Sequence, residues 1–166
     1  MALPPDNGGP GPENHLIPRG VPMSNLIKLL HETASLRADY QRLHQDLTGL
    51  SVRRLLFLVR PGARQQVDAR FQQLFQRLGE LREEMGRLTP DDLAIRRGEE
   101  LCQALKDFHQ ALGETLSQLE ILRRAQASQA TRVPGKDRPS LLTAYDDALQ
   151  YQRRMGARIN NLLADL

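Results

Sequence analysis

The sequence predicts an all-α protein, an antiparallel up-down-up-down four-helix bundle that follows a disordered Pro/Gly-rich N-terminal tail. Apolar residues, mostly leucines, recur in alternating steps of three and four along four segments, which is the spacing of an amphipathic helix. Prolines and glycines separate these segments. The 166-residue chain is 40% hydrophobic and contains no Trp, so it has enough aliphatic material for one domain with a leucine-rich core.

Residues 1–23 form the predicted tail. They contain six prolines and four glycines, a composition that neither propagates a helix nor fills a core. We therefore expect a single folded domain over residues 24–166.

The first two predicted helices span residues 24–59 and 63–88 and are separated by Pro61 and Gly62. In the first helix, Thr33 is the only non-apolar member of the repeat. The repeat fails at Arg54, and Gly49 is an alternative earlier end. The second helix keeps the spacing without a lapse, at Val67, Phe71, Leu74, Leu78, Leu81, Met85 and Leu88.

The third predicted helix spans residues 90–127, with Thr89 as its N-cap and Pro90 at its first position. Its apolar frame is less regular from Leu93 to Gly98 and is one residue out of phase with the preceding helix, which favours a reversal of the chain. A linker follows over residues 128–139, where we expect Pro134, Gly135 and Pro139 to exclude helix. The fourth helix then spans residues 140–166, with Gln152 as a polar exception in its stripe.

The width of the apolar stripes favours a compact bundle over a long parallel dimer. Additional apolar residues broaden each stripe, so that each helix can contact two neighbours; they include Leu30, Phe75, Leu116, Leu142, Leu149 and Leu163. Short connections place successive helices side by side and antiparallel. The sequence leaves open whether the bundle closes within one chain or exchanges hairpins between two.

In this topology, basic residues collect at the end that contains the first turn and the long linker. The chain carries a formal charge of +3, and this end receives a large share of the positive residues. The predicted basic end comprises Arg53, Arg54, Arg60, Arg64, Arg123, Arg124, Arg132, Lys136 and Arg138, opposed there only by Asp137. For Arg123 and Arg124, simple compensation of the helix dipole is the favoured explanation.

An uninterrupted apolar run lies within the same end of the bundle. On a helix, five consecutive apolar side chains face all directions, so some must contact the bundle or another molecule. We predict that this run binds a partner; its residues are Leu55, Leu56, Phe57, Leu58 and Val59.

The sequence contains no pattern typical of a catalytic, cofactor-binding or metal site. Phosphate-binding glycine loops, nucleophile elbows and Glu-x-x-His pairs are absent from it. The single cysteine, Cys102, lies seven residues from His109, too far on a helix for one metal ion, so we expect buried or half-buried structural roles for both. Glycines at 79, 86, 98, 113 and 156 fall inside predicted helices, where close helix approach would explain them. A lone cysteine is compatible with a reducing compartment, and we expect a cytoplasmic protein by default.

These observations favour a noncatalytic interaction protein, an adaptor, assembly or regulatory subunit that binds a protein partner or itself through the run from Leu55 to Val59. The alternative is binding to a nucleic-acid backbone or an anionic membrane through the basic end. We expect no small-molecule substrate. The leucine pattern is shared by too many unrelated proteins to indicate a family.

Overall fold

The computed structural model describes residues 24–48, 61–129 and 138–165, and within these ranges all regular secondary structure is α-helical. Four helices are present: α1 (Asn25–Thr48), α2 (Pro61–Gly86), α3 (Gly98–Gln129) and α4 (Arg138–Ala164). The all-α prediction is confirmed. The predicted tail over residues 1–23 and the predicted extension of the first helix over residues 49–59 lie outside the described ranges.

Helix α1 begins where the sequence places its cap. The Ser24 side-chain oxygen accepts a hydrogen bond of 3.2 Å from the backbone N–H of Leu26, and the Ser24 carbonyl accepts one of 2.9 Å from Ile27. The buried face of α1 follows the predicted steps of three and four: Leu26, Leu29, Thr33, Leu36, Tyr40 and Leu43.

The connection between α2 and α3 differs from the prediction of a helix beginning at Pro90. Thr89 makes local hydrogen bonds, since its N–H and hydroxyl donate to Asp92 Oδ2 at 2.9 and 2.8 Å, but the predicted N-cap is wrong because no helix follows it directly. Residues 90–97 form turns, and α3 begins at Gly98. Arg97 has φ of 56°, a left-handed conformation that separates these turns from α3.

Contacts between Asp92 and the start of α1 give a physical reason for this difference. The Asn25 N–H donates to Asp92 Oδ1 at 3.2 Å, and the Ser24 hydroxyl donates to the Asp92 carbonyl at 2.8 Å. The backbone carbonyl and side chain of Asp92 are therefore used by a distant segment rather than by a new helix. The hydrogen bonds from Thr89 and then Asn25 hold the pKa of the Asp92 carboxyl below its ordinary value.

Helix α4 begins earlier than expected. Pro139 was predicted to exclude helix, but it lies in the first turn of α4, one residue after Arg138. Proline is tolerated there because the first N–H groups of a helix have no acceptor within the helix.

Helix α3 lies against each of the other three helices and supplies the largest share of the core. It contacts α1 through Thr33 and His109, α2 through Arg82 and the His109 carbonyl, and α4 through Thr115 and the Ala148 carbonyl. Its buried residues cover much of its circumference: Leu101, Cys102, Ala104, Leu105, Phe108, His109, Ala111, Leu112, Thr115, Leu116, Leu119 and Leu122.

Ion pairs between helices report their direction. Between α1 and α2, Asp46 pairs with Arg70 at 2.7 Å and Asp39 pairs with Arg77. Between α3 and α4, Asp107 pairs with Arg158 at 3.0 Å and Arg97 with Asp165. In both cases the residue numbers rise along one helix as they fall along the other. These partly exposed pairs contribute little stability individually.

The glycines expected at close helix contacts occupy different environments. A Cβ atom at Gly113 would lie 2.7 Å from Arg82 Nη2, so the long Arg82 side chain crosses α3 there. At Gly98 a Cβ atom would overlap the carbonyl oxygen of Leu93. Gly79 and Gly86 have no atom within 4 Å of that position, so the close-approach explanation is wrong for both.

These environments predict opposite effects for one substitution. Gly79→Ala should raise the free energy of unfolding by about 0.5–1 kcal/mol, because alanine restricts the unfolded chain and meets no neighbour in α2. Gly98→Ala should lower it by about 1–3 kcal/mol, because the added methyl group displaces the turn before α3. Urea unfolding followed by circular dichroism measures both values. A loss of stability in Gly79→Ala would contradict the packing described for α2.

Candidate functional site

Most of the residues predicted to bind a partner lie outside the described part of the chain. This applies to the apolar run from Leu55 to Val59 and to five basic residues: Arg53, Arg54, Arg60, Arg132 and Lys136. Arg138 is the first residue of α4, but its side chain is also outside the description. The role of these residues stays a prediction.

Three members of the predicted basic end are described with their side chains, namely Arg64, Arg123 and Arg124. Arg64 is exposed. Arg123 pairs with Asp68 and lies over the Phe71 ring, 5.4 Å from its centroid, and its side chain is only 15% exposed. Arg124 pairs with Glu120 at 2.6 Å. Acidic groups from α2 and α3 therefore offset part of this basic end, in addition to the predicted Asp137.

Three large apolar side chains are exposed among the described residues: Ile121 (45%), Leu142 (40%) and Leu163 (39%). Leu142 and Leu163 were expected to broaden a buried stripe, and the structure leaves them at the surface. The contact between Thr115 and Ala148 sets the register of α3 and α4 and places Ile121 level with Leu142 along the helix axes. Sequence reasoning missed Ile121, which lies beside the buried Leu122.

Two polar interruptions of the apolar stripes meet in the core. Thr33 Oγ1 and His109 Nε2 share a hydrogen bond of 2.8 Å, and His109 is only 1% exposed. Arg82 of α2 donates to the His109 carbonyl at 2.8 Å. Burial, assisted by the positive charge of Arg82, lowers the pKa of His109 to about 4, so the imidazole is neutral at pH 7.

A second polar cluster joins α1 to α4. The hydroxyls of Tyr40 and Tyr145 share a hydrogen bond of 2.9 Å, and the Tyr145 hydroxyl also hydrogen-bonds His44 Nδ1. Burial raises the pKa of both tyrosines and, together with the charge of Arg153, lowers the pKa of His44. All three groups are therefore uncharged at neutral pH.

A groove of about 270 Å³ lies beside this cluster, between α1 and α4. Six of its lining residues are Arg37, Tyr40, His44, Leu149, Gln152 and Arg153. Gln152, the polar exception in the α4 stripe, is only 4% exposed. The whole set of lining residues contains two arginines, three glutamines and no carboxylate. We call this feature the α1/α4 groove.

The described residues contain no group of three or more His, Cys, Asp or Glu side chains placed to hold a metal ion. Cys102 and His109 are both buried, at 6% and 1% exposure, in agreement with the burial expected for them. None of the described helices combines the length and the apolar content needed to cross a bilayer.

Comparisons with known proteins return no match to a family, to a curated protein or to a solved structure.

The buried imidazole predicts a pH dependence of stability. The unfolded chain binds a proton at His109 near pH 6.5, whereas the folded protein binds it only near pH 4. The contribution of neutral His109 to the free energy of unfolding is therefore fully present above pH 6.5. It is lost as the pH drops towards 4, by up to about 1.4 kcal/mol per pH unit for one proton. Urea titrations between pH 4 and 7.5 should show this slope.

Substitution of His109 should remove part of that slope. His109→Gln should reduce the pH slope of the free energy of unfolding by up to the share of one proton. His31→Gln, at an exposed position of α1, should leave the slope unchanged. The lowered pKa of His44 contributes to the remaining slope in both variants. Equal slopes in His109→Gln and the parent protein would contradict the burial of a neutral imidazole.

Proposed function

We propose that this protein is a noncatalytic antiparallel up-down-up-down four-helix bundle, an adaptor, assembly or regulatory subunit that binds a protein partner or itself in the cytoplasm. The register of side-chain contacts supports the topology, since α1 with α2, α2 with α3, and α3 with α4 each pair rising with falling residue numbers. One cysteine in the whole chain is compatible with a reducing compartment.

The observation that carries the interaction proposal is the exposure of Ile121 and Leu142. They lie towards the end of the bundle where the chain leaves α1 at Thr48 and re-enters at Pro61. The apolar run from Leu55 to Val59 belongs to that connection. Exposed apolar side chains favour contact with another protein surface, because burial of each square ångström of apolar surface yields about 25 cal/mol.

The charges of the described residues favour a protein partner over a polyanion. Arg123 pairs with Asp68 and Arg124 with Glu120, and a carboxylate beside each guanidinium weakens the field that would attract phosphates. The alternative function, binding to a nucleic-acid backbone or an anionic membrane, therefore rests mainly on Arg64 and the basic residues outside the described ranges.

The titratable groups of the two polar clusters support a noncatalytic role. A general acid or base works best with a pKa near the working pH. Burial lowers the pKa of His109 to about 4 and raises the pKa of Tyr40, so neither of these two groups changes its protonation state near pH 7.

Replacement of the exposed apolar residues tests the proposed surface. Leu142→Asp and Ile121→Asp should each weaken self-association or partner capture at least about tenfold, because a buried carboxylate at an interface is costly. Leu163→Asp is the matched control, since its exposure of 39% is close to the 40% of Leu142 while it lies at the opposite end of α4. Sedimentation velocity over a concentration series and pull-down with purified partner measure the effect.

Two outcomes would count against the proposal. If Leu142→Asp and Leu163→Asp behave alike while both remain folded, the exposed apolar residues are not the interface. The second outcome is that labelled DNA, RNA or anionic vesicles bind in low salt and dissociate as salt rises, and that Leu142→Asp does not change this binding. Binding to a polyanion would then replace the proposed protein interaction.

A further inference from the structure

We propose that the α1/α4 groove is a binding site for a small molecule that carries a phosphate group. This inference does not depend on the proposed interaction surface, because the groove lies between α1 and α4 and uses neither Ile121 nor Leu142. Three features of the groove lead to it: an amide with unused hydrogen-bonding groups, two arginines without acidic partners, and a lining without carboxylates.

The amide is that of Gln152. The residue is only 4% exposed, lines the groove and makes no hydrogen bond with any described residue. Neither polar atom of the amide is among the fully buried side-chain atoms without a partner, so the amide reaches the solvent in the groove. Its donor and acceptor are therefore available to a polar ligand in the groove.

The two arginines are Arg37 and Arg153, one on each wall. No Asp or Glu stands three or four residues before or after either of them, so neither has an acidic partner on its own helix. Asp39, the nearest acid along α1, is already paired with Arg42 and with Arg77 of α2. Neither Arg37 nor Arg153 forms an ion pair or hydrogen bond with any described residue.

Arg37 of α1 reaches across to α4. Its guanidinium carbon lies 3.7 Å from the point where a Cβ atom of Gly156 would be, and the ring of Phe108 lies 3.5 Å from the same point. These are ordinary van der Waals distances, so the guanidinium lies near the backbone of α4.

Charge and size define the ligand class. The groove carries two positive charges, no lining carboxylate and a neutral His44, which favours a doubly charged anion. A phosphate monoester carries about −1.5 to −2 at pH 7, and its three oxygens radiate in different directions, so guanidinium groups on opposite walls can bind separate oxygens. Carboxylate has only two oxygens in one plane. A volume of about 270 Å³ suits a small ligand, and Leu149 with the Tyr40 ring offers an apolar wall for its organic part.

Isothermal titration with phenyl phosphate tests this site. We expect saturable binding to the full-length chain with Kd below about 1 mM, weaker binding of inorganic phosphate, and weaker binding of benzoate. In ¹H–¹⁵N spectra the side-chain amide signal of Gln152, identified by its loss in Gln152→Leu, should shift on addition of phenyl phosphate.

Variants locate the binding. Arg153→Gln and Arg37→Gln should each weaken phenyl phosphate binding at least about tenfold, as expected for loss of a charge-assisted hydrogen bond. Arg154→Gln is the matched control, because this exposed neighbour lies 5.9 Å from the centroid of the Tyr151 ring and does not line the groove. It should change Kd less than about twofold. Arg153 is exposed, so its replacement leaves the fold intact and keeps the test valid even if Arg37→Gln unfolds.

Three results would overturn the proposal. The first is no saturable binding of phenyl phosphate to the folded parent protein. The second is equal loss of affinity in Arg153→Gln and Arg154→Gln, which would indicate general attraction to a basic surface. The third is benzoate binding as tightly as phenyl phosphate, which would show that the groove does not select phosphate.

Discussion

Burial of α3 among three other helices is the constraint on which the structure depends. A helix covered on several sides places polar side chains in the core, where an unpaired polar group costs about 1–3 kcal/mol. Thr115 is paired with the carbonyl groups of Ala111 and Ala148, and His109 is paired at Nε2 with Thr33 of α1. His109 Nδ1 is buried without a partner among the described residues. These contacts form together only at one position of α3 along α1 and α4. The polar residues therefore specify a register between the helices that leucine packing alone does not specify.

The same requirement explains where the chain turns. Asp92 accepts hydrogen bonds from Thr89 and Asn25, and its carbonyl accepts one from Ser24. These contacts tie the turn between α2 and α3 to the start of α1. The turn thus lies at the start of α1, and the connection from Thr48 to Pro61 leaves the opposite end of that helix. The polar contacts of Asp92 lie at the end where α1 begins, and the exposed Ile121 and Leu142 lie towards the end where α1 finishes.

The leucine spacing was sufficient to predict the helices and much of the core. The residues that break the pattern, Thr33 and Gln152, are visible in the sequence, but their partners are not. Thr33 meets His109 76 positions later, and Tyr40 meets Tyr145 105 positions later, so neither pairing has a local signal. The turn before Gly98 was missed because Thr89 and Pro90 begin a helix equally well when no distant residue competes for Asp92. The α1/α4 groove was missed because an arginine without an acid at helical spacing becomes informative only once its neighbours across the groove are known.

The central claim is that specific polar contacts across α3, rather than leucine packing alone, fix the arrangement of the helices. A double-mutant cycle on Thr33→Val and His109→Leu, measured by urea unfolding at pH 7.5, tests it most directly. We expect a coupling energy of about 0.5–1.5 kcal/mol, the usual contribution of a buried hydrogen bond. A parallel cycle on Thr33→Val and Thr115→Val, whose hydroxyls have different partners, should be additive within about 0.5 kcal/mol. Additive behaviour in the first cycle as well would show that Thr33 and His109 do not couple α1 to α3, and would contradict the account.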